Sequence, residues 1–337
     1  MVPGVLVPLA LVVNARAQDA VALQVVRKGQ AGQSVPALVL TPNLDADRLD
    51  VDIACGGATA SWKGGAPGGK PVRLELATQP GRHTCTGTLR ASFTDGTEGE
   101  MPLEFEVEMV EPMTVTVDPT TVDTSARSLT LTLDRPAGRI EVSATTPEGQ
   151  PAGSGVVDGA GAAPGTPLEV SWDGVAEVAR LSVKAYDTDG FWAGLDLFPW
   201  YYEIPHEDVI FASGKSAIES TETPKLTAAR VEIDKVVQRY GSLAQIHLYV
   251  GGYTDRVGPF ESNLILSRDR AAAIARWFRT EGFSGPIYYQ GFGERGLAVH
   301  TTDEVPEPAN RRAVYIVAAQ PPPVTDAMPG DRWQALR

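Results

Sequence analysis

The 337-residue sequence has only two cysteines, Cys55 and Cys85, and only four histidines. His83, His206, His247 and His300 are scattered, and no second histidine follows His206-Glu207 at helical spacing, so the sequence does not support a zinc hydrolase. It contains no C-x-x-C, which removes the zinc knuckle and the dithiol redox site. Basic residues are outnumbered, 29 to 42. That balance argues against a general nucleic-acid binder and against adhesion to anionic lipid through basic patches. No segment reaches about 18 consecutive apolar residues, so no transmembrane segment is expected in the mature chain. Aromatic residues are scarce before Phe191, and Pro and Gly break the segments often. A membrane barrel needs aromatic girdles and unbroken strands, so it is set aside. G-x-S-x-G and the phosphate-binding P-loop are both missing. No metal and no cofactor is expected.

At the N-terminus, residues 5–13 form a short apolar run followed by Ala15-Arg16-Ala17. Small residues around Arg16 fit a signal-peptidase site that cleaves before Gln18, although residues 1–4 carry no Lys or Arg. Residues 1–17 are therefore read as a signal peptide. Export would place Cys55 and Cys85 in an oxidising compartment and join them as a disulfide.

The negative charge is uneven. Before Ile204 there are 26 acidic and 14 basic residues, but from Ile204 to Gln320 there are 14 and 13. The acidic half alternates apolar and polar residues. Leu49, Val51 and Ile53 recur at period two, as do Leu103, Phe105, Val107 and Met109, and then Leu129, Leu131 and Leu133. Turn-formers separate these runs, and no helical period competes. Short strands at such spacing indicate two β-sandwiches, over residues 18–111 and 112–203; the second, with its Trp172-Asp173-Gly174 turn, resembles an immunoglobulin-like domain, so two immunoglobulin-like sandwiches are expected. The aromatic cluster Phe191, Trp192, Phe198, Trp200, Tyr201 and Tyr202 reads as a packed inter-domain seam.

From residue 204 the pattern becomes α/β. A short strand is expected at Val209-Ile210-Phe211. A helix should open at Thr223-Pro224 and run to Tyr240. A strand over residues 244–250, a polar loop over 251–259, a helix over 261–281 and strands over 287–290 and 312–317 follow. Parallel neighbours joined through helices are expected for the first three strands. Gly291-Phe292-Gly293-Glu294-Arg295-Gly296 fits G-x-G-x-x-G, but the residues after it have no helical period and contain two prolines. A dinucleotide site needs a helix there, so that reading fails.

Four motifs in the second half carry a resemblance. They are Gly252-Tyr253-Thr254-Asp255-Arg256-Val257-Gly258, then Asn263 with Leu266-Ser267-Arg268-Asp269-Arg270-Ala271, then Gly291-Phe292-Gly293-Glu294, then Asn310-Arg311-Arg312-Ala313-Val314. In order and spacing these resemble the peptidoglycan-binding domain of the outer-membrane protein A family, over about residues 208–319. The resemblance implies an OmpA-like βαβαββ domain, here residues 204–320. It also implies non-enzymatic recognition of the diaminopimelate-containing peptide stem of peptidoglycan, in a periplasmic protein associated with the cell wall and the outer membrane. By motif it assigns ligand binding to Asp255 and Arg270, with Asn263, Thr254 and Gly258 around them. The chemistry agrees, because a zwitterion needs a fixed anion for its ammonium and a planar guanidinium fork for its carboxylate. For Asp255 and Arg270 the bland alternative is a salt bridge to each other, and for Arg311-Arg312 a structural role is the first expectation. After Glu294 the sequence departs from the family pattern. Two other functions stay open: an adhesin or envelope-partner binder using the acidic sandwiches, and a peptidoglycan hydrolase, for which no catalytic constellation is visible. Residues 321–337, opening on three prolines, should form a flexible or extended tail.

Overall fold

The computed structural model describes residues 20–174, 177–212 and 214–337; the expected export signal lies outside the described residues. The first sandwich contains β1 (Val21–Val26), β2 (Lys28–Gln30), β3 (Ala37–Pro42), β4 (Ala46–Cys55), β5 (Ala58–Ala66), β6 (Val72–Glu75), β7 (Gly81–Phe93) and β8 (Glu98–Val110). They form one sheet of order β1-β3-β6 and another of order β2-β8-β7-β4-β5. Alternation decides the facing. Leu49, Val51 and Ile53 on β4 and Leu103, Phe105 and Val107 on β8 are buried between the sheets. The Asp and Glu residues between them point away.

Cys55 and Cys85 stand opposite each other on β4 and β7 and form the expected disulfide. The bridge spans 30 residues of chain, which corresponds to about 3–4 kcal/mol of stabilisation through restriction of the unfolded chain. Reduction should lower the unfolding free energy by roughly that amount. Mass measurement of the unreduced protein should show two hydrogens missing. Full thiol labelling without reductant would refute the bridge.

The second sandwich contains β9 (Val115–Val117), β10 (Ser128–Leu133), β11 (Ala137–Thr145), β12 (Pro151–Asp158), β13 (Leu168–Ser171), β14 (Arg180–Asp187) and β15 (Trp192–Leu197). Its sheets run β13-β10-β9 and β12-β11-β14-β15. Leu129, Leu131, Leu133, Ile140, Val142, Leu181 and Val183 fill its core. The aromatic cluster divides here: Trp192 opens an edge strand, while Trp200 and Tyr202 do reach the following seam.

Both junctions are built from polar contacts. At the first, Arg135 donates to Gln30 Oε1 (2.9 Å), to Asp187 Oδ2 (3.1 Å) and to the Glu111 carbonyl. Gln30 and Asp187 are buried there. At the second, Glu177 accepts from the Tyr240 hydroxyl (2.7 Å) and from Arg239 (2.6 Å). The Tyr202 and Tyr240 hydroxyls bond each other. Burial and the Glu177 carboxylate hold the Tyr240 phenol well above its ordinary pKa, so it remains a donor. Trp200 stacks on Tyr240 (4.3 Å between centroids) and donates to the Ala179 carbonyl (2.8 Å). Trp200→Ala should cost about 2–4 kcal/mol at this junction and turn it into a hinge. Scattering should then report a broader spread of molecular dimensions, whereas an unchanged profile would mean that the junction does not depend on the indole.

The α/β domain contains β16 (Tyr201–Glu203), α1 (Thr223–Tyr240), β17 (His247–Tyr253), α2 (Phe260–Thr280), β18 (Ile287–Gly293), β19 (Ala313–Ala318) and β20 (Gln334–Ala335). The sheet order is β16-β19-β17-β18-β20. Two expectations are corrected. Residues 209–211 form no strand; the first strand is Tyr201–Glu203, and it runs antiparallel to β19. Ile204 continues that pairing through its N–H to the Tyr315 carbonyl (2.8 Å), and Pro205, lacking an N–H, ends it. The domain therefore begins before Ile204, and its only parallel pair among the described strands is β17 with β18. Leu226, Ala229 and Ile233 of α1 and Ala271, Ile274, Ala275 and Phe278 of α2 pack on Leu248, Val250, Tyr315 and Val317 of the sheet.

The tail, expected to be flexible or extended, is held against the sheet. β20 pairs with β18 through Tyr288↔Ala335 and Tyr289↔Gln334. Met328 and Trp333 lie in a second cluster with Tyr249, Tyr253, Phe292, Val314, Ile316 and Ala318, on sheet residues that alternate with those facing the helices. Among the described residues, no helix is long and apolar enough to cross a membrane.

Candidate functional site

Two loops and one helix meet at the carboxyl ends of β17 and β18. Thr254 to Pro259 leave β17, and Glu294 onwards leave β18. Helix α2 starts beside them and crosses both strands, and the strands carry glycine where it crosses. A β-carbon on Gly252 would collide with the Ser267 carbonyl, and one on Gly291 with the Arg268 backbone. The Ser267 hydroxyl accepts from the Gly293 N–H (2.9 Å), and the Gly293 carbonyl accepts from the Thr254 N–H (2.8 Å). Gly291 and Gly293 of the G-x-G-x-x-G run thus seat a helix on a sheet rather than a phosphate on a loop.

Asp255 is 6% exposed. Its Oδ2 accepts from Arg311 Nη1 at 2.7 Å, and its Oδ1 receives a long bond from the Val257 N–H (3.4 Å). The salt bridge of Asp255 is therefore with Arg311, two residues before the neighbouring strand β19, not with Arg270. Arg270, one helical turn beyond Ser267, lays its guanidinium over Phe211 (5.0 Å). It donates to the carbonyls of Lys215 (3.0 Å) and Ala212 (3.4 Å). Burial lowers its pKa from the ordinary guanidinium value; the Arg311 charge lowers it further, and the Asp255 charge opposes both. One carboxylate and two guanidiniums therefore share a field.

Asn263 is buried and faces the loop. Its Nδ2 lies within hydrogen-bond reach of the carbonyls of Asp255 (3.3 Å), Val257 (3.2 Å) and Gly258 (3.4 Å) and of Glu294 Oε2 (3.1 Å). It clamps the loop shut. Thr254 is also buried, and its hydroxyl has no hydrogen-bond partner among the described residues. Gly258 takes φ +90°, and its N–H points to the Glu304 carboxylate (3.3 Å). The divergent stretch after Glu294 is fixed as a wall. Asn310 exchanges both amide bonds with the Val299 backbone (2.9 Å each), and Arg256 donates to the Thr301 carbonyl (3.0 Å).

The sequence motif brought Asp255, Arg270 and Asn263 to one place. It did not indicate Arg311 as the partner of Asp255, because 56 residues separate them and only the β17–β19 pairing brings them together. Phe211, beneath Arg270, had been assigned to a strand.

A buried carboxylate flanked by guanidiniums thus lies on loops at the end of a mixed sheet. Residues 210–311 match the model of the OmpA family, and the chain carries an OmpA-family domain there. Among solved structures, the chain is similar to the OmpA-like domain of FopA1 from Francisella tularensis, at 18% identity over 43% of this chain and 77% of that one, with a TM-score of 0.27. It is similar to the peptidoglycan-associated lipoprotein from Burkholderia pseudomallei, at 20% identity over 33% and 88%, TM-score 0.25. A two-domain fibronectin type III segment of chicken tenascin aligns at 14% identity over 52% and 97%, TM-score 0.21. No curated protein matches the chain.

Proposed function

We propose that this chain is a non-enzymatic, exported protein that binds peptidoglycan through its C-terminal domain and is thereby tethered to the cell wall in the periplasm, next to the outer membrane. The ligand is the diaminopimelate side chain of the peptide stem. Asp255 takes its ammonium and Arg270 its carboxylate. The observation that carries this reading is the buried Asp255 carboxylate sharing a field with Arg270 and Arg311 inside an OmpA-family domain. One carboxylate against two guanidiniums leaves a net positive charge, which suits a group carrying carboxylate as well as ammonium. A lysine-type stem lacks that carboxylate and should bind more weakly.

Full-length protein should sediment with purified diaminopimelate-type wall, and it should leave the wall intact. Failure to sediment, or lysis of the wall, would refute the proposal. The fold also sets the fragment that should bind alone: residues 198–337, which keep β16 and the tail. A piece cut at residues 204 and 320 loses a sheet strand and the cover of one sheet face, and should unfold at lower temperature.

A second role falls to the sandwiches. Their surface holds almost all of the net negative charge, which favours a basic partner in the envelope. Deleting residues 20–197 should abolish capture of such a partner while wall retention persists.

A further inference from the structure

The tail does more than cover an apolar face. Its turn at residues 325–328 closes on itself, Thr325 N–H to the Met328 carbonyl (3.1 Å) and Met328 N–H to the Thr325 carbonyl (3.0 Å). In this turn the Ala327 carbonyl accepts from the Tyr253 hydroxyl at 2.9 Å. Tyr253 is the last residue of β17, two before Asp255. Its ring is stacked on Phe292 (4.9 Å) and lies under the Arg312 guanidinium (3.9 Å). Arg312, next to Arg311, donates to the Gly296 carbonyl in the wall loop (2.8 Å). Burial keeps the Tyr253 phenol above its ordinary pKa, so the donor persists across ordinary pH. Beyond the turn, Trp333 sits edge-on to Tyr249 (5.1 Å) and Phe292 (5.8 Å). The Leu336 N–H then bonds the Ile287 carbonyl (2.8 Å). One strap therefore touches the strand that emits the Asp255 loop, the strand that emits the wall loop, and, through Tyr253 and Arg312, the neighbour of Arg311.

We infer that residues 325–336 are a positioning strap for the binding site: they touch no ligand, but they fix Tyr253 and so hold the Asp255 carboxylate and Arg311 in register with Arg270. The inference rests on the proposed stem-peptide site. Recognition of a small zwitterion depends on fixed separations between its two charged partners, and a support displaced by about 1 Å degrades it strongly. Trp333 and Met328 anchor the strap, and the Tyr253 hydroxyl transmits its position.

The test uses full-length protein, Trp333→Ala, Trp333→Phe, Tyr253→Phe and a chain ending at Gln320. Calorimetry reads affinity for a soluble diaminopimelate muropeptide, and amide hydrogen exchange reads the loop at residues 254–258 without ligand. Loss of the strap should weaken binding by roughly tenfold or more and speed exchange in the loop. Trp333→Phe should restore most of both. Tyr253→Phe, which keeps the ring and its packing, should lose about threefold through the missing hydrogen bond. A synthetic peptide of residues 321–337 added to the shortened chain should restore affinity saturably, which a merely global loss of stability would not allow. If the shortened chain does not fold, Trp333→Ala and Tyr253→Phe decide. Unchanged exchange in the loop of the folded variants overturns the strap's role. Full-length protein that binds no muropeptide overturns the proposed function instead, and exchange still judges the strap.

Discussion

Asp255→Ala and Arg270→Ala should each lower muropeptide affinity by about 2–5 kcal/mol, on the order of 30-fold or more, while circular dichroism remains that of the parent. The two losses have different origins. Without Asp255 the ligand's ammonium enters a partly buried site and meets only Arg270 and Arg311, so an unfavourable contact replaces a favourable one. Without Arg270 the ligand's carboxylate loses a planar two-bond grip. Arg270→Lys should recover only part of it, because an ammonium does not reproduce the fork. The geometry adds a distinction that the sequence did not offer. Asp255 is paired with Arg311 at 2.7 Å, so the ligand's ammonium would share that carboxylate with Arg311. Asp255→Ala should thus also show a small fall in melting temperature. Arg276→Ala, at an exposed position of α2, is the control and should bind as the parent does. Folded alanine variants with parental affinity would reduce the cluster to a structural ion pair.

How much of this was legible beforehand depends on the range of each interaction. Period-two alternation is local, and it placed the strands carrying Leu49, Leu103 and Leu129 and their buried faces. Asp255 and Arg270 were legible because a loop and the helix after it are close in sequence. Arg311 was not, since only strand pairing brings it to Asp255. The first strand of the α/β domain was misplaced because Val209-Ile210-Phe211 is apolar enough to imitate one. Yet Tyr201–Glu203 pairs with β19, and Pro205 breaks the ladder before Val209. The tail gave a signal that three prolines obscured. Ala313–Ala318 is apolar throughout and buried on both faces, a pattern of strands covered on both sides. Helices α1 and α2 account for one cover, and the residues available for the other include Met328 and Trp333.

Gly291→Ala should destabilise the C-terminal domain by about 1–3 kcal/mol or more and weaken muropeptide binding with it. Two effects oppose each other at this position. Alanine narrows the unfolded ensemble and, on its own, would stabilise a strand by about 0.4–1 kcal/mol. Its methyl group, however, would press into the Arg268 backbone and the Ser267 hydroxyl. Backbone atoms of a helix do not rotate aside as a flexible side chain does, so the steric cost wins, and the relief available is for α2 to lift from β18. The Ser267 hydroxyl would then lose its bond from the Gly293 N–H (2.9 Å). Arg270, one turn further along α2, would move relative to Asp255, which is anchored to β17 and β19. Gly252→Ala, on β17 beneath the same helix, should act in the same direction, because its β-carbon would meet the Ser267 carbonyl. The two substitutions press on one contact, so their double variant should cost less than the sum of the single ones. Denaturant unfolding and calorimetry on the same samples decide the matter. A Gly291→Ala protein as stable as the parent would mean that α2 does not depend on that close approach. One that is destabilised but binds with full affinity would uncouple the seating of the helix from the site.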